Sequence, residues 1–182
     1  WSDLETRREV GFTGYSDSLS GDASASTGQV FAEGAVRIGS SWATYEPYAA
    51  LAHVHLKRDH FTEDGGDAAL TVAQTNMDTT FTTLGLRTET FMGAGIEAGI
   101  RLSGGLGWRH AFGDTVAQAK VAFVGGTPFA VTGVPIAQDA LVAELGADGA
   151  LGETTNFGVH YLGQISDDAD DHSFSASLAV TF

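Results

Sequence analysis

Two histidines on one predicted strand have the spacing of a metal site. His53 and His55 are separated by one residue, so their imidazoles project from the same face of an extended strand. Two imidazoles placed in this way are ligands suited to zinc. The sequence indicates no third ligand beside them, and a short motif alone is weak support. We therefore interpret both histidines as polar residues of a strand face, and we predict no metal site and no cofactor.

An acidic run near the end of the chain is the second group with ligand chemistry. Asp167, Asp168, Asp170 and Asp171 lie within five positions, and carboxylate oxygens are ligands for divalent cations. A charge run of this kind specifies little, and it is more often a solvated segment than an ion site. We predict an exposed acidic loop.

A serine block gives the weakest indication of catalysis. Ser16, Asp17 and Ser18 resemble the block around the nucleophilic serine of GDSL-type esterases, but Ser16 stands where those enzymes have glycine. Ala169 stands three residues before His172, where that family has its aspartate. A catalytic serine needs a base that a third group orients. We predict a loop and no catalysis, and a surface hydrolase using Ser18 and His172 is the least favoured hypothesis.

Composition restricts the fold class and the partners. The chain has 182 residues with 24 glycines, 3 prolines, no cysteine and a formal charge of −14. This length suits one domain, and the glycine content with short alternating runs favours an all-β fold. The absence of cysteine excludes disulfides and thiolate metal sites, and the acidic balance excludes nucleic acid as a partner. No apolar run reaches the length of a transmembrane helix, whereas transmembrane strands show alternation instead.

The segment from Ser173 to the C-terminal residue shows that alternation most clearly. Small and polar residues (Ser175, Ser177, Ala179 and Thr181) occupy one face of the predicted strand. The opposite face carries Phe174, Ala176, Leu178, Val180 and Phe182. In an outer-membrane barrel such an apolar face contacts lipid, and the polar face lines the lumen.

The same alternation of apolar and polar residues recurs along the chain and predicts eight spanning strands. They fall at about 4–12, 29–39, 47–60, 79–91, 96–110, 140–151, 156–166 and 173–182. The long segments 13–28, 61–77 and 113–139 share one side with the acidic loop, and 113–139 is predicted to be an external hairpin arm. The short links near Trp42, Gly93–Gly95 and Gly152–Thr155 share the other side, as in outer-membrane barrels.

Charged residues are predicted to occupy the face of these strands that is turned away from lipid. Both signs of charge occur there, and unpaired ions in a dry core are costly, whereas a watered lumen removes that cost. On the strand 47–60, Tyr48, Ala50, Ala52, Val54 and Leu56 are predicted to face lipid. The predicted lumen-facing residues are Glu33, Arg37, His53, His55, Lys57, Arg87, Glu89, Glu97, Arg101, Arg109, Glu144 and Asp148.

Several blocks together resemble the C-terminal β-domain of autotransporters, the translocators of type V secretion. They are EPYAALAHVHL at 46–56, FTE at 61–63, TLGLR at 83–87, GWRHAFG at 107–113, VTGVPI at 131–136 and the ending through Phe182. The resemblance implies an antiparallel transmembrane β-barrel of 12 strands threaded by an N-terminal helix, with an external hairpin that matches 113–139. Residues 1–182 would be the C-terminal part of that domain, without four strands, the pore helix and the passenger.

This resemblance also implies a function and partners. The chain is expected in the bacterial outer membrane, as an anchor and translocator that exports and displays an N-terminal passenger without catalysis. Its expected partners are outer-membrane lipid, its own passenger and pore helix, and the barrel-assembly machinery. That machinery would read the terminal strand through Phe174, Leu178, Val180 and Phe182. The alternative is a self-contained eight-stranded outer-membrane protein with a structural or adhesive task.

Overall fold

The computed structural model describes residues 1–93, 99–152, 154–167 and 169–181. In these ranges the chain forms β-strands and their connections, and the predicted all-β, antiparallel class is confirmed. The strands are β1 Ser2–Phe12, β2 Tyr15–Ala35, β3 Ile38–Gly39, β4 Thr44–Arg58, β5 Phe61–Thr62, β6 Leu70–Val72, β7 Thr75–Met92, β8 Ile100–Gly113, β9 Gln118–Phe123, β10 Phe129–Thr132, β11 Asp139–Leu151, β12 Thr155–Ile165 and β13 Asp171–Val180. Across the described ranges, no helix is long and apolar enough to cross a membrane.

Backbone hydrogen bonds join the strands into two sheets. The larger sheet has the order β1-β2-β4-β7-β8-β11-β12-β13, with the short β3 paired to β4. The smaller sheet has the order β10-β9-β6-β5. Strands β1 and β13 stand at the two ends of the larger order, so closure of the sheet and the number of spanning strands stay predictions.

The first two strands form a long hairpin, which corrects the predicted loop at 13–28. β1 pairs with the first half of β2 in a register that runs from Ser2↔Ala25 to Phe12↔Tyr15. Gly14 at the turn has a φ of 89°, a left-handed conformation that glycine adopts without strain. The serine-rich and alanine-rich composition indicated a loop because these residues have low β propensity, but pairing with β1 satisfies their backbone groups.

The two other long connections also contain strands. Within 61–77, β5 pairs with β6 from Phe61↔Val72, and β7 already begins at Thr75. Within 113–139, β9 and β10 pair from Phe129↔Val121. A hairpin at 113–139 is therefore confirmed, while its external location stays a prediction.

The chain divides into two compact units. Unit 1 comprises Trp1–Val30, His53–Thr80 and Phe112–Ile136, and its core contains the buried side chains of Leu19, Val72, Met77 and Val121. Unit 2 comprises Phe31–Ala52, Phe81–Ala111 and Ala137–Phe182. Its buried apolar residues are mostly small, such as Ala43, Ala111 and Ala140, whereas large apolar side chains are exposed, including Leu106 (60%), Leu145 (61%) and Phe174 (77%). Exposed apolar residues in such number require an apolar environment.

Candidate functional site

Strand register in unit 2 places the large apolar residues on one face. Trp108 is paired with Leu141, Leu145 with Tyr161, and Tyr161 with Phe174. Directly paired residues project from the same side of a sheet. The exposed apolar residues therefore form one continuous face across β8, β11, β12 and β13.

The opposite face of the same strands carries charged and small residues. Glu144 is paired with Gly105, Asp148 is paired with Arg101, and His160 is paired with Ser175. His160 is also opposite Gly146, and its Nε2 lies 3.1 Å from Asp148 Oδ1. This two-faced pattern is the one predicted for a strand between lipid and water.

Arg87 of β7 is the centre of an ionic network on this polar face. Its Nη1 and Nη2 donate to the two carboxylate oxygens of Glu33 at 2.7 Å and 2.9 Å. Nη1 also lies 3.7 Å from Glu46, and Nε lies 3.7 Å from Glu144. A bidentate guanidinium–carboxylate pair fixes both side chains more firmly than a single hydrogen bond does. One arginine thus links carboxylates of β2, β4 and β11.

A second arginine extends the network. Arg37 Nε donates to Glu46 Oε2 at 2.6 Å. The network of two arginines with Glu33, Glu46 and Glu144 has a formal charge of −1, since three carboxylates exceed two cations. It borders a cavity of about 210 Å³ that is also lined by Glu89 and Ser103. The arrangement suits non-covalent contact with polar or cationic groups.

Tyr48 lies beneath this network and corrects one predicted face. Its side chain is buried, and the Arg87 Cζ lies 3.8 Å from the ring centroid. A Cβ at Gly85 would lie 2.5 Å from the ring, and one at Gly107 would lie 2.7 Å from the hydroxyl oxygen. The two glycines on β7 and β8 therefore make room for the ring. The prediction that Tyr48 faces lipid was wrong, because its ring lies with the charged residues.

His53, His55 and Lys57 share one face of β4 within unit 1. Side chains alternate along a continuous strand, and β4 runs unbroken from Thr44 to Arg58. His55 Nδ1 contacts Asp78 Oδ1 at 2.7 Å, and His53 Nδ1 contacts Thr80 Oγ1 at 3.0 Å. The placement of these three residues in the lumen stays a prediction.

The other predicted lumen residues have separate contacts. Arg101 Nε lies 3.6 Å from Glu89 Oε1. The Arg109 guanidinium lies 5.2 Å from the Phe81 ring centroid and donates to Gln164. Glu97 lies outside the described residues, as does Phe182 of the predicted assembly signal. The other three signal residues, Phe174, Leu178 and Val180, all lie on β13 and are exposed.

The predicted strand faces missed Glu46 and Tyr48 of the Arg87 network. A signal was present, because Glu46 and Tyr48 are two positions apart and must share a face. A charged residue at Glu46 marks that face as polar. Ala50 and Ala52, which follow on the same face, indicated an apolar face instead.

The described residues among the catalytic and metal candidates have separate contacts. Ser18 is paired with Glu9 in unit 1, whereas His172 of unit 2 contacts the Tyr161 hydroxyl at 2.9 Å. Asp170 Oδ1 accepts a hydrogen bond from the Ser166 N–H at 3.1 Å, and Asp168 lies outside the described residues. In the part of the chain that the structure describes, no group of three His, Asp or Glu side chains is arranged to hold a metal ion.

Unit 1 contains a polar cluster of its own around Glu63. Arg8 Nη2 donates to Glu63 Oε2 at 2.5 Å and to the Ala68 carbonyl at 2.8 Å, and the Leu70 N–H donates to Glu63 at 3.0 Å. The Arg8 hydrogen bond, opposed by burial and helped by the Leu70 N–H, lowers the pKa of Glu63. This cluster ties β1 to the segment between β5 and β6.

Asp17 and Tyr15 form a second contact with the same segment. The Tyr15 hydroxyl donates to Asp17 Oδ2 at 2.5 Å, and the Ala68 N–H donates to the same oxygen at 3.1 Å. The tyrosine hydrogen bond, followed by the one from Ala68, lowers the pKa of Asp17, while the pKa of Tyr15 is raised. Both contacts favour the ionised carboxylate.

A sheet with an ionic face and an exposed apolar face is typical of outer-membrane β-barrel proteins. The family model described as the autotransporter beta-domain matches residues 1–162, so the chain belongs to the autotransporter β-domain family. This family places the chain in the outer membrane of Gram-negative bacteria, within type V secretion. The β-domain is the translocator module of autotransporters.

Two similar proteins support this assignment. Two extracellular serine proteases of Serratia marcescens are 32% and 31% identical to the chain, over 100% of its length. The chain spans 17% of the length of each of them. The similarity therefore covers one region of much longer proteins.

Proposed function

We propose that the chain anchors an N-terminal passenger in the outer membrane, supports its export and displays it on the cell surface, with no catalysis in residues 1–182. One observation carries the proposal, namely the two faces of unit 2. The apolar face suits lipid, and the face with the Arg87 network suits a hydrated lumen. The residues of that face would include Glu33, Arg37, Arg87, Glu89, Arg101, Arg109, Glu144 and Asp148.

The proposal assigns the whole chain to the C-terminal part of a barrel with a pore helix. The ionic network with its excess of carboxylate, beside a cavity of about 210 Å³, suits contact with a helix that carries polar or basic groups. Lipid would cover Leu106, Leu145 and Phe174, which are exposed. The barrel-assembly machinery would bind β13, whose apolar residues repeat every second position.

Protease accessibility on intact cells tests the translocator function. The full-length protein is produced in a Gram-negative host, and protease is added outside the cells. We expect digestion of the passenger, while a periplasmic marker protein stays intact. A variant that lacks residues 171–181, and with them β13, should leave the passenger protected until the outer membrane is opened. Digestion of the passenger in this variant, to the extent seen with the complete chain, would contradict the proposal.

A further inference from the structure

An apolar groove lies within unit 1, separate from the Arg87 network. It has a volume of about 290 Å³. Leu56 and Met77 form one wall from β4 and β7, and Ala119 and Val131 form the other from β9 and β10. Ala119 and Val131 are directly paired, so their side chains project into the groove from the same sheet face.

Arg58 lines this groove and is incompletely hydrogen-bonded. Its Nε is buried and has no hydrogen-bond partner, and its Nη2 makes only a long contact of 3.4 Å with Thr75 Oγ1. No carboxylate of the described residues lies within ion-pair distance of Arg58, in a chain with 23 acidic and 9 basic residues. The guanidinium lines the groove without a carboxylate beside it, so the groove suits an anionic partner.

The surroundings of Arg58 favour a peptide over an acyl chain. Thr75 Oγ1 donates to the Gln118 carbonyl at 3.5 Å, so polar groups interrupt the apolar wall next to the guanidinium. An extended peptide can place an apolar and an acidic side chain close together, whereas an acyl chain leaves the polar groups unsatisfied. The relatives, of which the chain spans 17%, are long enough to supply such a segment from the rest of the polypeptide.

We propose that this groove binds an extended segment of the protein's own N-terminal polypeptide. An aliphatic side chain of that segment packs between Leu56 and Val131, and a carboxylate pairs with Arg58. This inference rests on the proposed translocator function, since the occupant is the exported passenger. It adds the chemistry by which the exported segment is recognised, an apolar side chain beside an acidic one.

Photo-crosslinking in the full-length protein tests the inference. A photoreactive phenylalanine analogue replaces Val131 or, in a second variant, Leu56, and export is stalled by a disulfide loop in the passenger. We expect a crosslink to the passenger from both positions. A matched control replaces Val124, which is 74% exposed in unit 1 and lies outside the groove. Equal crosslinking from Val124, or adducts with lipid alone at Val131 and Leu56, would overturn the inference.

The charge contribution is tested on the same background. Arg58→Gln should lower the crosslink yield from Val131 by about tenfold, because one hydrogen bond to a charged group is lost. Lys57→Gln removes a neighbouring charge that pairs with Asp59, and it should leave the yield unchanged. An unchanged yield in Arg58→Gln would overturn the pairing. Heat-modifiable gel mobility shows that each variant is assembled.

Passenger exposure in the unsubstituted protein separates this inference from the proposed function. If the passenger reaches the surface but Val131 and Leu56 do not crosslink to it, the groove inference is wrong and the translocator function stands. If the passenger of the unsubstituted protein never reaches the surface, the translocator function is wrong and the groove inference is lost with it.

Discussion

Arg87 contacts carboxylates that come from three different strands. Glu33, Glu46 and Glu144 lie far apart in sequence, and each of them reaches the same guanidinium. A lysine cannot replace this geometry, because one ammonium lacks the planar fork that bonds both oxygens of Glu33. The arrangement of the carboxylates on the polar face therefore depends on the side chain of Arg87 more than on the number of charges there.

We expect Arg87→Met to destabilise the assembled domain by about 1–3 kcal/mol, because it leaves three carboxylates without their shared cation. The measurement is the free energy of unfolding in urea after reconstitution in lipid. Arg101→Met is the matched control, since Arg101 is 57% exposed and has one contact of 3.6 Å with Glu89. Equal effects of the two substitutions would contradict a central position for Arg87.

The Tyr48 ring depends on the absence of a side chain at Gly85. Gly85→Ala places a Cβ 2.5 Å from the ring and should cost about 1–3 kcal/mol of unfolding free energy through overpacking. Gly104→Ala is the control, because its nearest neighbour would be 3.7 Å away. In the Tyr48→Ala background the cost of Gly85→Ala should largely disappear, since the clashing ring is gone. A cost that persists there would show that the ring is not the cause.

Glu63 makes the stability of unit 1 depend on pH. Its folded-state pKa is lowered, chiefly by the Arg8 hydrogen bond. A lowered carboxyl pKa contributes stability above the unfolded value of about 4.3, and this contribution is lost as pH falls through the folded value. We expect slower hydrogen exchange of the Leu70 amide in the wild type than in Glu63→Gln at pH 7.

The pH dependence has its own control. The difference in exchange between wild type and Glu63→Gln should vanish once acid protonates Glu63, because the charge that the variant lacks is then absent from both. Glu9→Gln alters an exposed carboxylate on β1 and should not change the exchange of Leu70 at either pH. A difference that is constant from neutral to acid pH would refute the linkage.

The sequence predicted which side chains share a sheet face where strands were regular, and it gave the wrong surroundings for Tyr48 on β4. Glu144, Asp148 and Arg101 were placed together because their neighbours alternate between large apolar and polar residues. On β4, Tyr48 is followed by small alanines, so the sequence did not show that its ring lies with the charged residues.

At the scale of the element, the β1–β2 hairpin shows the limit of composition. β2 continues for 21 residues through a segment rich in serine and alanine. The first half of β2 is hydrogen-bonded to β1, and the composition of β2 alone does not show that it has such a partner strand. By contrast, β11, β12 and β13 were placed within about two residues of their observed ends, because alternation there is unbroken.

The terminal strand carries a prediction of its own. Phe174→Ser should reduce assembly in the outer membrane, because Phe174 belongs to the proposed assembly signal. In the proposed orientation its side chain faces lipid and contributes about 2 kcal/mol of favourable transfer. Phe123→Ser on β9, where the side chain is 46% exposed, should assemble normally. Heat-modifiable gel mobility of the two variants is the measurement. Equal assembly would argue against the signal in β13.

At the scale of the whole molecule, pore conductance distinguishes the proposed translocator from a self-contained eight-stranded barrel. Eight strands enclose an interior that side chains fill, so such a barrel should not conduct ions. A larger parent barrel from which the pore helix has been deleted should conduct in planar lipid bilayers. Absence of conductance in that deletion variant, with assembly verified by gel mobility, would favour the eight-stranded alternative.

β2 is longer than a strand needs to be to cross a membrane. A strand of 21 residues extends about 70 Å, whereas about 9–11 tilted residues suffice to cross the hydrocarbon layer. In the proposed orientation, roughly half of this strand would extend beyond the membrane on the cell surface. In the proposed orientation, antibodies and phages would meet the serine-rich half of β2 before they meet any part of the membrane.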